Sequence, residues 1–150
     1  MEELKQKTHQ ACLTKVQDRI DSLKEELANL KESAASDTKS SMGDKYETSR
    51  EMINLEKGKL TGQLGEAIEM ITILKSFDVD SKGVKIGLGN LVITNISKFY
   101  LSVAIGPLDL EGQKVFAISP GSPLGKQLLN KADGEEVQVG SATHKIEAFY

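Results

Sequence analysis

Leu13, Val16, Ile20, Leu23, Leu27, Leu30 and Ala34 advance along the chain by threes and fours. That spacing draws an apolar stripe along one side of a long helix, and a stripe this long demands a second helix to cover it. The pattern stops in Ser33-Ala-Ala-Ser-Asp-Thr-Lys-Ser-Ser-Met-Gly-Asp44, which has no period, and a similar stripe resumes with Tyr46, Ile53, Leu60, Leu64, Ala67, Ile71 and Leu74. Two long helices separated by one short break can cover each other only by folding back. The sequence therefore predicts an antiparallel helical hairpin over residues 1–77 with its tip near 34–44, carrying Asp37, Asp44 and Glu47.

The first helix is expected over residues 2–33, with Lys15, Asp18, Asp21, Lys24, Glu25, Glu26 and Lys31 on its outward side. The second is expected to begin between Ser40 and Asp44, where Ser41, Asp44 and Glu47 are spaced like helix caps and first-turn acids, and to end near Phe77. It is the less regular of the two. Arg50 and Lys57 occupy seam positions, and Gly58, Gly62 and Gly65 follow at spacings of four and three. Each glycine costs about 1 kcal/mol against alanine in an exposed helix, so close approach of another surface is one reason to have them. Gly58-Lys-Leu-Thr-Gly62 lacks the spacing of a phosphate-binding loop and follows no strand.

Charge and composition exclude several classes. The net charge is −3, and the balance is similar throughout, with 12 basic against 14 acidic residues in 1–77 and 7 against 8 in 78–150. A protein that grips nucleic acid through phosphates shows a basic stripe, so direct nucleic-acid binding is not expected. The start, Met-Glu-Glu-Leu-Lys-Gln, has no apolar run behind it, no segment is long enough for a membrane span, and one cysteine fits a reducing compartment. A cytoplasmic protein is expected.

After 78–83, read as a linker, the period changes from that of helices to that of strands. Residues 89–95, 99–105, 114–119, 136–139 and 144–150 read as short strands between turns, and 122–131 as one short helix with Ser122 as N-cap and Pro123 in its first position. Residues 84–150 thus form a small domain, an antiparallel sheet with one face on that helix, and the chain as a whole is of the α+β class.

Residues capable of chemistry are few. His9 lies on an exposed-looking stretch of the first helix and His144 starts an apparent edge strand, and neither has partners at zinc-ligand spacing. No serine or cysteine nucleophile sits on a strand-to-helix elbow. Cys12 is most simply a small packing residue beside the seam, and Tyr46, Tyr100 and Tyr150 core or rim residues. Asp37 and Asp44 have an ordinary reading as turn and cap residues. Their other reading is as ligands of a hard divalent cation, and two acids on an exposed loop would then need a partner that already holds the metal.

The stretch Ile118-Ser119-Pro120-Gly121-Ser122-Pro123-Leu124-Gly125-Lys126-Gln-Leu128-Leu129, continuing to Gly134-Glu-Glu136-Val137-Gln-Val139, resembles the C-terminal domain of the Gre-type bacterial transcript-cleavage factors. In that family a Ser-Pro-Leu/Ile-Gly-Lys/Arg turn opens a helix and a Gly-Asp/Glu-Glu-Val run enters a strand. Asp37-Thr-Lys39, Tyr46 and Arg50-Glu51 are similar to the family's hairpin tip and the start of its second helix. The order, hairpin first and then a domain of FK506-binding-protein-like fold, agrees over nearly the whole chain.

The resemblance implies an accessory factor of RNA polymerase, without catalysis of its own. The globular domain would dock at the rim of the polymerase secondary channel through Ser119, Pro120, Ser122, Pro123, Leu124 and Gly125. The hairpin would enter the channel, where Asp37, with Asp44 or Glu47, would help hold a Mg²⁺ ion shared with the polymerase active site during hydrolysis of backtracked RNA. No cofactor is implied for the chain alone, and a monomer is expected. The family pattern has an acid three residues after Asp37 where Ser40 stands here, the 37–46 segment is about two residues longer, and Asn130 replaces a usual glycine. Those departures leave open a non-cleaving inhibitor or competitor in the same channel. A prolyl isomerase or chaperone, from the similar fold, and a coiled-coil adaptor that dimerises through the long helices are the alternatives of a different class.

Overall fold

A computed structural model of the chain describes the backbone of residues 1–37 and 43–150 and the side chains of 1–35 and 48–150. The two long helices are α1 (Glu2–Asp37) and α2 (Gly43–Leu74), 36 and 32 residues. At 1.5 Å per residue they measure about 54 and 48 Å. Glu2 and Glu3 in the first turn of α1 lie where the helix dipole favours negative charge. The helix runs four residues beyond its expected end, through Ala34 and Ala35, because alanine has the highest helix propensity. α2 stops three residues early. The backbone N–H of Ser76 and its hydroxyl both donate to the Ile73 carbonyl, at 3.0 and 2.6 Å, closing a tight turn after the last helical residue.

The chain divides into two compact units, Met1–Thr14 with Thr72–Tyr150, and Lys15–Ile71. In the second unit the predicted seam is present. Val16, Ile20, Leu23, Leu60 and Ala67 are buried, whereas Leu27, Leu30 and Ala34 are only half-buried. Arg50 and Lys57, the charged residues at seam positions, are exposed. In the first unit the buried positions of α1 are Leu4, Lys5, Thr8 and Cys12, so the stripe continues to the helix start through residues that include a lysine.

The rest of the first unit is a six-stranded sheet of β1 (Leu91–Thr94), β2 (Lys98–Leu101), β3 (Gly106–Leu110), β4 (Gln113–Ile118), β5 (Glu136–Val139) and β6 (Ala142–Phe149), with a short helix α3 (Pro123–Leu128) between β4 and β5. The strand order is β3-β4-β2-β1-β6-β5. The sheet is mixed rather than antiparallel as expected, because β2 and β4 are parallel, with Phe99 beside Phe116 and Leu101 beside Ile118. The added strand β3 is the cause. It turns back onto β4 through Glu111-Gly112, and that reversal brings β4 alongside β2 in the same direction. β3 has little sequence signal, since Gly-Pro-Leu-Asp-Leu places a proline and an aspartate in five residues. Two further expectations change. β2 ends at Leu101 instead of running to 105, and β6 lies between β1 and β5 rather than at an edge.

Both faces of the sheet are covered. Val92, Phe99, Leu101, Ile146 and Phe149 cluster with Val137 and with Leu128 of α3, and Phe116, Ile118 and Leu124 pack against them. Tyr100 alternates with Phe99 and Leu101, so it points to the opposite face, where its hydroxyl lies 2.8 Å from His9 Nδ1 of α1. Residues 78–83 are held on this base. Lys5 Nζ donates to the Ser81 carbonyl at 3.2 Å, Gln6 bonds Asp80, and Lys82 lies over the rings of Phe149 and Tyr150 at 5.1 and 5.3 Å. Phe77 lies close enough to Gly89 that a Cβ there would stand 2.6 Å from its ring. None of the described helices is long and apolar enough to cross a membrane.

Candidate functional site

The segment Ser119–Gly125 sits where β4 leaves the sheet and α3 begins, and its residues divide into two groups. The first builds the turn. The Ser119 carbonyl accepts from the backbone N–H of Ser122 at 3.1 Å and from its hydroxyl at 2.7 Å. The same hydroxyl accepts from the Gly125 N–H at 3.0 Å, the N-cap bond expected of Ser122. Gly125 is required by a close approach rather than by a strained backbone, since a Cβ would stand 2.0 Å from the Ser119 oxygen. Leu124 turns inward onto the sheet core. Ser119, Ser122, Leu124 and Gly125 therefore all carry structural roles in this turn.

The second group faces out. Pro123 is exposed, and Pro120 is half-buried. Gly121 and Lys126, which belong to the motif but were not among the residues singled out from it, are exposed on the same short segment. Pro120 and Pro123 cost little backbone entropy to immobilise, since both are fixed about φ before any partner arrives.

The tip acids are placed by backbone alone. Asp37 is the last residue of α1, and Asp44 and Glu47 fall in the first turns of α2. Their side chains, with Ser40 and Tyr46, lie outside the described residues. Among the described residues no group of three or more His, Cys, Asp or Glu is arranged to hold a metal ion.

Neither histidine is where the sequence suggested. His9 is half-buried between Phe77 and Tyr100, with ring centroids 5.4 and 6.0 Å away. His144 is buried edge-on to Phe99 at 5.4 Å, with Nδ1 3.3 Å from the Thr94 hydroxyl. Burial lowers the pKa of both, and the nearby Lys5 ammonium lowers that of His9 further. Burial also lowers the pKa of Lys5, against the opposing pull of Glu2, Asp80 and Asp78. The Tyr100 hydroxyl is pushed well above the usual phenol range by its own burial. These are packing residues at the base of the sheet. Cys12 is fully buried beside them, in keeping with the packing role read from the sequence.

No protein-family model matches the chain, and no curated protein matches it. Among solved structures it is similar to that of the transcription factor Gfh1, with a TM-score of 0.38 and 17% identity over 93% of this chain and 94% of that one. A likeness this loose decides neither the family nor the function of the chain.

Proposed function

We propose that the chain is a Gre-type regulator that binds bacterial RNA polymerase in the cytoplasm, docks through the outward side of the 119–126 turn, and places its hairpin in the polymerase secondary channel. The observation that carries this reading is the Ser-Pro-Gly-Ser-Pro-Leu-Gly-Lys motif, whose serines and second glycine form a capped turn that presents Pro120, Gly121, Pro123 and Lys126. It is supported by the order of the parts, a pair of helices of 36 and 32 residues ahead of a sheet domain. The tested quantity is binding. The tagged full chain should retain RNA polymerase from its own cells, and Pro123→Ala combined with Lys126→Glu should weaken retention while leaving the fold intact. A chain that neither retains polymerase nor alters elongation by it rules the reading out.

Within that reading the tip has two possible actions. One is stimulation of RNA cleavage through Asp37, with Asp44 or Glu47, on a Mg²⁺ ion shared with the polymerase. The other, favoured by Ser40 at the position of the family's second acid, is occupation of the channel without cleavage. Cleavage in stalled, backtracked complexes separates them. Loss of cleavage with Asp37→Ala or Asp44→Ala supports the first, and slowed transcription with no cleavage supports the second.

A further inference from the structure

We draw no further inference here: the strongest candidate, the outward face of α2 where the exposed Met52 and Leu55 lead into Gly58, Gly62 and Gly65, carries nothing because nothing in the structure shows what covers it.

Discussion

The two units of this chain are stabilised in different ways, and their glycines show the difference most directly. In the unit formed by residues 1–14 and 72–150, α1 is tied to several segments within two turns. Lys5 reaches Ser81, Gln6 reaches Asp80, Lys7 bridges Glu3 and Glu111, and His9 meets Tyr100. Two of the glycines there meet close neighbours, Gly125 against the Ser119 carbonyl and Gly89, at φ +88°, against the Phe77 ring. In the unit of residues 15–71 the buried side chains among the described residues follow one seam, and a Cβ on Gly58, Gly62 or Gly65 would meet nothing within 4 Å. The base is specified by individual contacts and the hairpin by a pattern. A pattern tolerates substitution that a contact does not.

Gly125→Ala is expected to have the largest effect. A Cβ placed 2.0 Å from a backbone oxygen cannot be relieved by a side-chain rotation, so the turn must open. The expected cost is about 3 kcal/mol or more, at the upper end for overpacking. Gly89→Ala should cost about 2 kcal/mol, because it combines a left-handed backbone with contact against a ring that has some room to shift. Hydrogen exchange resolved along the chain reads both. The sheet and α3 should lose protection while 15–71 keeps most of its own. If the helical amides of 15–71 lose protection in step, the two units unfold as one and the contrast between them fails.

The opposite sign is expected in the hairpin. Replacing Gly58, Gly62 and Gly65 together by alanine should stabilise the chain by about 2–3 kcal/mol, since each site recovers close to the helix-propensity difference and no contact is lost. Chemical denaturation checks this. An unchanged or lower midpoint would mean that the glycines serve the fold in a way their open surroundings do not reveal.

The same contrast decides what could be read from the sequence. The hairpin was legible because a seam is a periodic signal, and periodicity survives irregular positions such as Arg50 and Lys57. Helix ends were less legible. Ala35, Ser36 and Asp37 extend α1 beyond the last residue of the stripe, and Ser76 ends α2 through a local bond that leaves no periodic trace. β3 was missed because its proline and aspartate hide a strand that only its pairing with β4 maintains, and the parallel β2–β4 pair follows from it. The 119–126 turn was legible as a motif, but not its division into inward and outward residues, which depends on the Ser119 carbonyl. His9 and His144 were misplaced because the partners that bury them, Tyr100 and Phe99, lie 91 and 45 positions away in the chain.

Those histidines give the third test, an acid sensitivity confined to the base. Both are harder to protonate in the fold than in the unfolded chain, where the ordinary value is 6.5. Above that pH neither state takes up a proton and their contribution is full. As the pH falls through it the unfolded chain binds protons first, so stability declines until the folded rings also protonate. Unfolding midpoints should therefore drop as the pH falls through 6.5, and His9→Gln with His144→Gln should flatten that part of the profile. An equally steep profile in the double variant would rule the two histidines out as its source.

The smallest effect is expected at Lys5, and its sign is informative. The side chain is fully buried, its ammonium makes a hydrogen bond to the Ser81 carbonyl, and desolvation works against its charge. Lys5→Met keeps most of the aliphatic stem and removes the buried charge. Ser81 is exposed, so its carbonyl can turn to water rather than remain unpaired. The change in stability should lie within about 1 kcal/mol of zero in either direction, as for other buried charges replaced by a packed apolar side chain. The variant should also lose the rise in stability on the approach to pH 10.5 that a lysine with a lowered pKa produces, since the wild-type fold gains relative to the unfolded chain as that ammonium deprotonates. A loss of several kcal/mol would mean that the lysine anchors residues 78–83 through its charge and not merely its length. Specific contacts would then govern even the segment that joins the hairpin to the sheet.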